Sequence, residues 1–251
     1  MAEDVILETT GLTKEFKGYL AVDNVNLRVR RNSIHALIGP NGAGKTTVFN
    51  LLTHFLSPTR GRIHYNGRDI TYSKPMHIAR SGMVRSFQIS AVFPHMTVRE
   101  NIHIALQRKL GLSFQFWKSD SSLAQLDHRL QELAAEVGLG DVLHQPAGDL
   151  PYGRKRTLEI ATTLALEPEM LLLDEPTAGL GSEDIGRVSE LIRASARNRT
   201  VLMVEHNMKV VADLSDCITV MQYGGILAEG KYATVSTDPR VVEAYVGTGH
   251  A

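Results

Sequence analysis

The sequence is poor in the features that mark secreted, membrane-spanning and nucleic-acid-binding proteins. Cys217 is the only cysteine in 251 residues, which excludes an intramolecular disulfide and fits a reducing compartment. Lysine plus arginine and aspartate plus glutamate each number 27, so the chain lacks the basic excess typical of general nucleic-acid binding. No apolar run approaches the roughly 18–20 residues of a spanning helix, and the acidic start does not resemble a signal peptide. We therefore expect a soluble, cytoplasmic protein whose membrane association is peripheral.

A glycine-rich segment, residues 39–47, fits the pattern G-x-x-x-x-G-K-[ST]. It follows an apolar run at residues 34–38 and precedes apolar residues at helical spacing, which is the context that a phosphate-binding loop needs. Glycines let backbone N–H groups point at phosphates, Lys45 would bridge the β- and γ-phosphates, and the Thr46 hydroxyl would bind Mg²⁺. The predicted nucleotide-binding residues are Gly39, Asn41, Gly42, Gly44, Lys45, Thr46 and Thr47.

Two adjacent carboxylates, Asp174 and Glu175, follow an apolar strand pattern at residues 170–173. Such a pair at a strand end suits a divalent metal and an activated water. We predict that Asp174 holds Mg²⁺ through water and that Glu175 polarises the attacking water as a general base. A structural role as an N-cap or first-turn acid before Pro176 would account for one of the two carboxylates but not for both.

A glycine and three basic residues precede that strand. Tyr152 and Gly153 predict a tight turn, and the basic cluster 154–156 leads into a helical pattern. Helix N-termini favour anions because their unpaired N–H groups and the helix dipole both attract negative charge. We expect this segment to lie close to phosphate.

The remaining pattern indicates an α/β fold. After residue 158, helical and strand spacings alternate, which is typical of a parallel sheet covered by helices. Strands are predicted at residues 5–8, 25–29 and 62–65, with a turn at 13–18 and a hairpin turn at Asn66-Gly67. Helical spacing at residues 98–106 and 123–137 predicts an α-helical subdomain over approximately 89–157, inserted in a single domain of residues 1–251.

Three further residues have the chemistry of a nucleotide site. His206 follows a strand pattern at residues 200–204, so it would face the crevice where such sheets bind ligands and could contact the γ-phosphate. Gln88 could bind the metal or orient water, although spacing alone favours a solvated boundary residue. Phe16 could stack on a purine, but a core role is equally compatible with the pattern, and Tyr19 is the competing candidate.

Together these motifs resemble the ATP-binding cassette (ABC) ATPases over essentially the whole chain. The glycine-rich segment corresponds to the family's Walker A loop, residues 170–175 to Walker B, Gln88 to the Q-loop glutamine and His206 to the switch histidine. The family's adenine-stacking aromatic falls on Phe16. The resemblance implies a P-loop NTPase (RecA-like) core with an antiparallel β subdomain and an inserted α-helical subdomain.

Closer still, the chain is similar to the ATP-binding subunits of branched-chain amino acid uptake transporters, on segments 16–18, 39–50, 84–88, 93–98 and 244–247. This similarity implies that two such subunits, identical or related, pair head-to-tail around two ATP molecules. ATP-driven closure would move integral-membrane permease subunits, and a periplasmic or surface solute-binding protein would act indirectly. The expected location is the cytoplasmic face of the membrane.

The family's usual signature, Leu-Ser-Gly-Gly-Gln, is replaced here by Leu150-Pro-Tyr-Gly-Arg154. Pro151 removes the serine hydroxyl and one N–H donor. The resemblance still implies that Tyr152, Gly153 and Arg154 contact the ATP held by the partner chain. We expect the change to alter the hydrolysis rate more than it affects dimerisation.

Other functions fit less well. A soluble ABC ATPase acting on DNA or ribosomes usually carries two cassettes or a long coiled-coil insertion, and this chain has neither. A P-loop kinase or GTPase would not need the signature segment or His206. ATPase subunits serving urea, amides or an exported lipid would look much the same, so the solute stays open.

Overall fold

The computed structural model describes residues 4–86, 92–109 and 120–246. The predicted site residue Gln88 lies outside the described residues. The chain divides into two compact units: unit 1 comprises Met1–Arg85, Glu169–Ala178 and Ser195–Ala251, and unit 2 comprises Ser86–Pro168 and Gly179–Ala194.

Strands and helices alternate along much of the chain. The strands are β1 Val5–Phe16, β2 Tyr19–Val25, β3 Arg28–Arg30, β4 Ile34–Ile38, β5 Arg60–Tyr65, β6 Arg68–Asp69, β7 Met83–Ser86, β8 Met170–Asp174, β9 Thr200–Val204, β10 Cys217–Gln222 and β11 Gly225–Gly230. The α-helices are α1 Lys45–Leu52, α2 Pro75–Arg80, α3 Val98–Lys109, α4 Asp120–Glu136, α5 Tyr152–Leu164, α6 Ser182–Ser195, α7 Met208–Leu214, α8 Tyr232–Val235 and α9 Pro239–Val246. Short 3₁₀ helices lie at Gly140–Val142 and Ala147–Asp149.

A mostly parallel sheet has the strand order β11-β10-β4-β9-β8-β7. Strands β10, β4, β9 and β8 are parallel neighbours, and β11 pairs antiparallel with β10. Every residue of β4, β8 and β9 is buried, as expected for strands covered on both faces. Because the carboxyl ends of β4, β9 and β8 meet at one edge, the segments that follow these three strands are brought together there.

A second, antiparallel sheet of unit 1 has the order β2-β1-β5-β6, with β3 also paired to β1. One apolar core joins the two sheets through α1, whose Val48, Phe49, Leu51 and Leu52 are fully buried. Burying each such side chain contributes about 1.5–3 kcal/mol to the free energy of unfolding. This core fixes α1 beneath the loop that precedes it.

The turn expected at residues 13–18 is wrong in extent, because β1 continues to Phe16. Only Lys17 and Gly18 form the turn, with φ of 49° and 88°, and Phe16 pairs directly with Tyr19. Positive φ at both central residues matches the strand twist of a tight hairpin. The predicted turn at Asn66-Gly67 has the same form and is confirmed.

The strand expected at residues 25–29 is interrupted. Strand β2 ends at Val25 and β3 begins at Arg28. The side chain of Asn26 accepts a hydrogen bond from the Gly11 backbone N–H and donates one to the Asn24 carbonyl. Asparagine side chains compete with strand ladders in this way, and the sequence pattern alone does not show it.

Unit 2 is helical in its described residues, and the predicted helices at 98–106 and 123–137 are confirmed as α3 and α4. Thr97 and Glu100 form a reciprocal cap at the start of α3, with the Thr97 N–H donating to Glu100 Oε2 at 2.7 Å. Among the described helices, none is long and apolar enough to cross a membrane.

Candidate functional site

A cavity of about 300 Å³ opens in unit 1 beside the start of α1. It brings together segments that are distant in sequence, namely the glycine-rich loop and the residues that follow β8 and β9. The lining residues are Tyr19, Ala21, Asn41, Gly42, Ala43, Gly44, Lys45, Thr46, Thr47, Glu175 and His206.

The loop that leads from β4 into α1 requires glycine at two positions. Gly39 has φ of 147°, and a Cβ there would lie 2.2 Å from the Met221 carbonyl oxygen. Gly44 has φ of 100°, and its Cβ would lie 2.5 Å from the Ala21 carbonyl oxygen. Since neighbouring backbone crowds both residues, a side chain at either would displace the loop.

Lys45 is the first residue of α1 and is buried. Its Nζ donates to the carbonyl oxygens of Gly39 at 2.7 Å and Pro40 at 2.9 Å. The start of the loop is therefore hydrogen-bonded to the Lys45 ammonium group. Burial lowers the pKa of Lys45, and the nearby carboxylates of Glu175 and Asp174 oppose that shift. The adjacent Thr46 side chain is exposed to the cavity, as an oxygen ligand for a metal would need to be.

The aromatic candidates occupy different places. Tyr19, which is 63% exposed, lines the cavity, whereas Phe16 is 43% exposed and is not among the described residues that line it. The Lys14 ammonium lies 5.0 Å from the centre of the Phe16 ring. The purine-stacking role of Phe16 therefore stays a prediction, and Tyr19 lines the same cavity as the glycine-rich loop.

Glu175 and His206 meet across the ends of neighbouring strands β8 and β9. His206 Nε2 lies 3.0 Å from Glu175 Oε1, and both side chains are partly exposed to the cavity. Glu175 has φ of 47°, a conformation that is uncommon for a residue other than glycine. Its backbone N–H donates to the Val204 carbonyl at 2.9 Å, which holds it against β9.

Glu205 joins the segments that follow β8 and β9, and the sequence pattern did not indicate a role for it. This carboxylate is 2% exposed. Its Oε2 accepts the His206 backbone N–H at 2.8 Å, and its Oε1 accepts the hydroxyl of Thr177. A buried carboxylate whose two oxygens are both engaged in this way fixes the backbones on which Glu175 and His206 depend.

Asp174 is the last residue of β8 and is almost fully buried. Its Oδ2 accepts a hydrogen bond at 2.6 Å from Arg85, a residue that was not predicted from the sequence to belong to the site. The available sequence signal was a basic residue in the short strand β7, between Val84 and Ser86. Tyr245 is a second residue near the site that was not predicted from the sequence. Its hydroxyl hydrogen-bonds to the backbone of Gly39, in the glycine-rich loop.

The segment around Tyr152 belongs to unit 2 and differs from its prediction. Tyr152 and Gly153 do not form a tight turn; they are the first residues of α5, with Pro151 as the N-cap in extended conformation. Proline suits the start of a helix, because the N–H that it lacks would have no helical partner there. The N-terminal end of α5, where the helix dipole is positive, thus starts at Tyr152, which is 60% exposed.

The basic cluster that follows is engaged within unit 2. Arg154 donates to both carboxylate oxygens of Asp141 at 2.8 Å, and Lys155 donates to the Gly148 carbonyl at 2.7 Å. Arg156 is buried against Glu159 at 2.8 Å. These side chains stabilise the surroundings of α5 within unit 2.

Family models match two parts of the chain. A model described as "ABC transporter" matches residues 22–178, and one described as "Branched-chain amino acid ATP-binding cassette transporter" matches residues 226–251.

Similar proteins agree with these matches. The chain is 42% identical to the high-affinity branched-chain amino acid transport ATP-binding protein BraF of Pseudomonas aeruginosa, covering 96% of this chain and 98% of that one. It is 41% identical to the corresponding LivG protein of Escherichia coli, with the same two coverages. A solved structure, the ADP conformation of an ATP-binding cassette of an ABC transporter, superimposes with a TM-score of 0.84 at 29% identity, covering 97% and 99%. The chain therefore belongs to the ABC transporter family, among the ATP-binding proteins of branched-chain amino acid transport, and is an ABC transporter ATPase.

Proposed function

We propose that this chain is the ATP-hydrolysing motor subunit of a branched-chain amino acid importer, acting on a separate membrane permease from the cytoplasmic face of the membrane. One observation carries the proposal: the phosphate loop, Glu175 and His206 line a single cavity. A phosphate-binding loop facing a carboxylate and a histidine at neighbouring strand ends is suited to phosphoryl transfer to water.

Each residue has a defined task in this proposal. Lys45 exchanges its loop carbonyl partners for the β- and γ-phosphates, which its position at the start of α1 allows. Glu175 accepts the proton of the attacking water, and His206, which already contacts Glu175, donates a hydrogen bond to the γ-phosphate. Asn41, Gly42, Gly44 and Thr47 contribute loop groups that face the phosphates.

The side chains at this site fit a magnesium ion. Thr46 and Asp174 offer oxygen ligands, and in the described part of the chain no cluster of three His, Cys, Asp or Glu side chains provides a complete protein site. That arrangement suits Mg²⁺, which usually takes one or two protein ligands and completes its shell with phosphates and water. When bound, the ion neutralises charge that develops on the phosphates. Gln88 remains a proposed ligand.

The exposed start of α5 supports ATP-dependent pairing with a second subunit. Tyr152 and the backbone of Gly153 stand at the positive end of a helix whose cationic side chains are engaged elsewhere. In the proposed dimer this end contacts the γ-phosphate of ATP bound to the partner, and Arg154 supports it through Asp141. The second subunit is a copy of this chain or a related ATP-binding protein.

Branched-chain amino acids are proposed as the solute because the named relatives serve that transport and cover nearly all of the chain. The match to residues 226–251 supports the same assignment. The permease and a solute-binding protein contact the solute, so the choice of solute lies outside this chain.

Uptake by cells tests the proposal. Deleting the gene in its host should abolish high-affinity uptake of labelled leucine, and the wild-type chain, but not Lys45→Ala, should restore it. Uptake of leucine that survives the deletion, while uptake of urea or amides is lost, would overturn the solute assignment. Restoration by Lys45→Ala would overturn the ATPase role.

A further inference from the structure

Arg85 is buried within unit 1, where it contacts both α1, the helix that contains Thr46, and Asp174, the two elements of the predicted metal site. Its side chain is 9% exposed. One terminal nitrogen donates to Asn50 Oδ1 at 2.7 Å and the other donates to Asp174 Oδ2 at 2.6 Å. The guanidinium also lies 5.6 Å from the centre of the Phe49 ring. Arg85 is therefore held by a helix and a strand end together.

These contacts connect the two elements that carry the oxygen ligands. Asn50 and Phe49 belong to α1, the helix that begins at Lys45 and contains Thr46. Asp174 ends β8. A guanidinium is planar, and its donors have fixed directions, so contacts on both sides set the spacing between the elements. Lysine, with one flexible ammonium group, cannot make the same fork.

Charge balance alone does not explain this arrangement. Lys45 already stands near Asp174 as a compensating cation. Replacing a buried ion pair by apolar residues is often neutral for stability, so such a pair is weak evidence for a stabilising role. Arg85 engages the Asp174 carboxylate through its Oδ2 atom.

We propose that Arg85 is a positioning residue for the metal–ATP complex, which it serves by fixing the Asp174 carboxylate relative to the α1 helix that carries Thr46. The inference rests on the proposed function, because it presumes that Thr46 and Asp174 share one Mg²⁺. Partners that orient metal ligands typically change metal affinity by roughly 10–100-fold when they are replaced.

Arg85→Lys tests this role through binding rather than turnover. ATP affinity is titrated in EDTA and again in Mg²⁺, and the ratio of the two affinities gives the metal-dependent gain. We expect Arg85→Lys to reduce that gain by roughly 10-fold or more, with the affinity in EDTA nearly unchanged. The electron paramagnetic resonance spectrum of Mn²⁺ bound with ATP should also change, because Asp174 is no longer held in place.

Two further variants decide between positioning and mere packing. Asn50→Ala keeps the ion pair but removes one tie to α1, and it should reduce the gain to an intermediate value. Arg31→Lys alters a partly exposed arginine that pairs with Asp4 and Glu169, outside the predicted metal site, and should leave the gain unchanged. A lowered melting temperature with an unchanged gain in both Arg85→Lys and Asn50→Ala would overturn the inference. A wild-type chain with no metal-dependent gain would overturn the proposed Mg²⁺ site as well.

Discussion

His206 Nε2 lies 3.0 Å from Oε1 of Glu175, so the proposed γ-phosphate donor and the proposed general base are in hydrogen-bonding contact. The contact follows from the sheet order, because the two residues end up next to each other where parallel neighbours β8 and β9 end. The same edge carries Lys45, one strand further along. The geometry suggests that each residue affects the orientation of the other during turnover.

Replacing His206 should separate turnover from binding. His206→Ala removes the proposed donor to the γ-phosphate and the partner of Glu175, so we expect kcat for ATP hydrolysis to fall by about 100-fold or more, with the Kd for ATP changed little. The control is His128→Ala, an exposed histidine on α4, which should leave kcat unchanged. Wild-type kcat in His206→Ala would contradict the assigned role.

Glu205 should matter through its two hydrogen bonds rather than its charge. Glu205→Ala leaves the buried Thr177 hydroxyl and the His206 N–H without this partner, at a cost of about 1–3 kcal/mol in the free energy of unfolding. The rate of ATP hydrolysis should fall together with the free energy of unfolding. Glu205→Gln can accept from His206 and donate to Thr177, so it should recover most of both.

Denaturant unfolding and steady-state ATPase rates check this prediction, with Glu243→Ala, an exposed residue, as control. Equal turnover in Glu205→Ala and the wild-type chain would contradict a positioning role. A rate in Glu205→Gln as low as that in Glu205→Ala would show that the charge itself matters.

Gly153 faces two constraints that a double substitution can separate. A Cβ on Gly153 would lie 2.2 Å from Cγ of Asp184, so Gly153→Ala should lower the melting temperature by crowding within unit 2. Adding Asp184→Ala should restore the melting temperature. It should not restore ATP-dependent dimerisation, measured in the Glu175→Gln background, because Gly153 is proposed to contact the partner's ATP. Recovery of both properties would place the role of Gly153 in local packing alone.

The parts of the site that could be predicted from the sequence are those where the backbone conformation or the end of a strand requires a particular residue type. Positions with positive φ, such as Gly44, favour glycine, and the spacing of these glycines can be recognised in the sequence. Strand ends that carry acids or a histidine, such as Glu175 and His206, are similarly visible, because parallel strands bring their carboxyl ends together. The positions of the central strands followed from buried apolar runs.

Other features depend on contacts between distant segments and could not be predicted. Arg85 meets Asp174 across 89 residues of sequence, and nothing in the spacing indicates that pair. The start of α5 was misjudged because Gly153 suggests a turn, whereas here glycine provides room for the Asp184 carboxylate beside a helix. Glycine is favoured both in tight turns, because of its backbone freedom, and at crowded contacts, because it has no side chain, and the sequence alone does not distinguish the two.

The buried histidine of β4 should make stability depend on pH. His35 is 1% exposed and hydrogen-bonds through Nε2 to Thr219 Oγ1 at 2.8 Å, and burial lowers its pKa to about 4 from the ordinary value of 6.5. Between these values the unfolded chain binds a proton that the folded chain does not, so stability is lost as pH falls from 6.5 towards 4. At pH 5 the loss attributable to His35 is about 2 kcal/mol.

Urea unfolding at pH 7 and pH 5 measures this loss. In His35→Gln, which stays neutral, the decrease in the free energy of unfolding between the two values should be smaller than in the wild-type chain by that amount. An identical decrease in both proteins would contradict the assignment to His35.

The central claim is that two chains close around ATP held by Lys45 of one and the start of α5 of the other. The most direct test is to measure the sedimentation of the Glu175→Gln variant with and without ATP. This variant should bind ATP without hydrolysing it. We predict a monomer without nucleotide, a dimer with ATP, and no dimer once Lys45→Ala is added. A Glu175→Gln chain that binds ATP but remains monomeric would contradict the account.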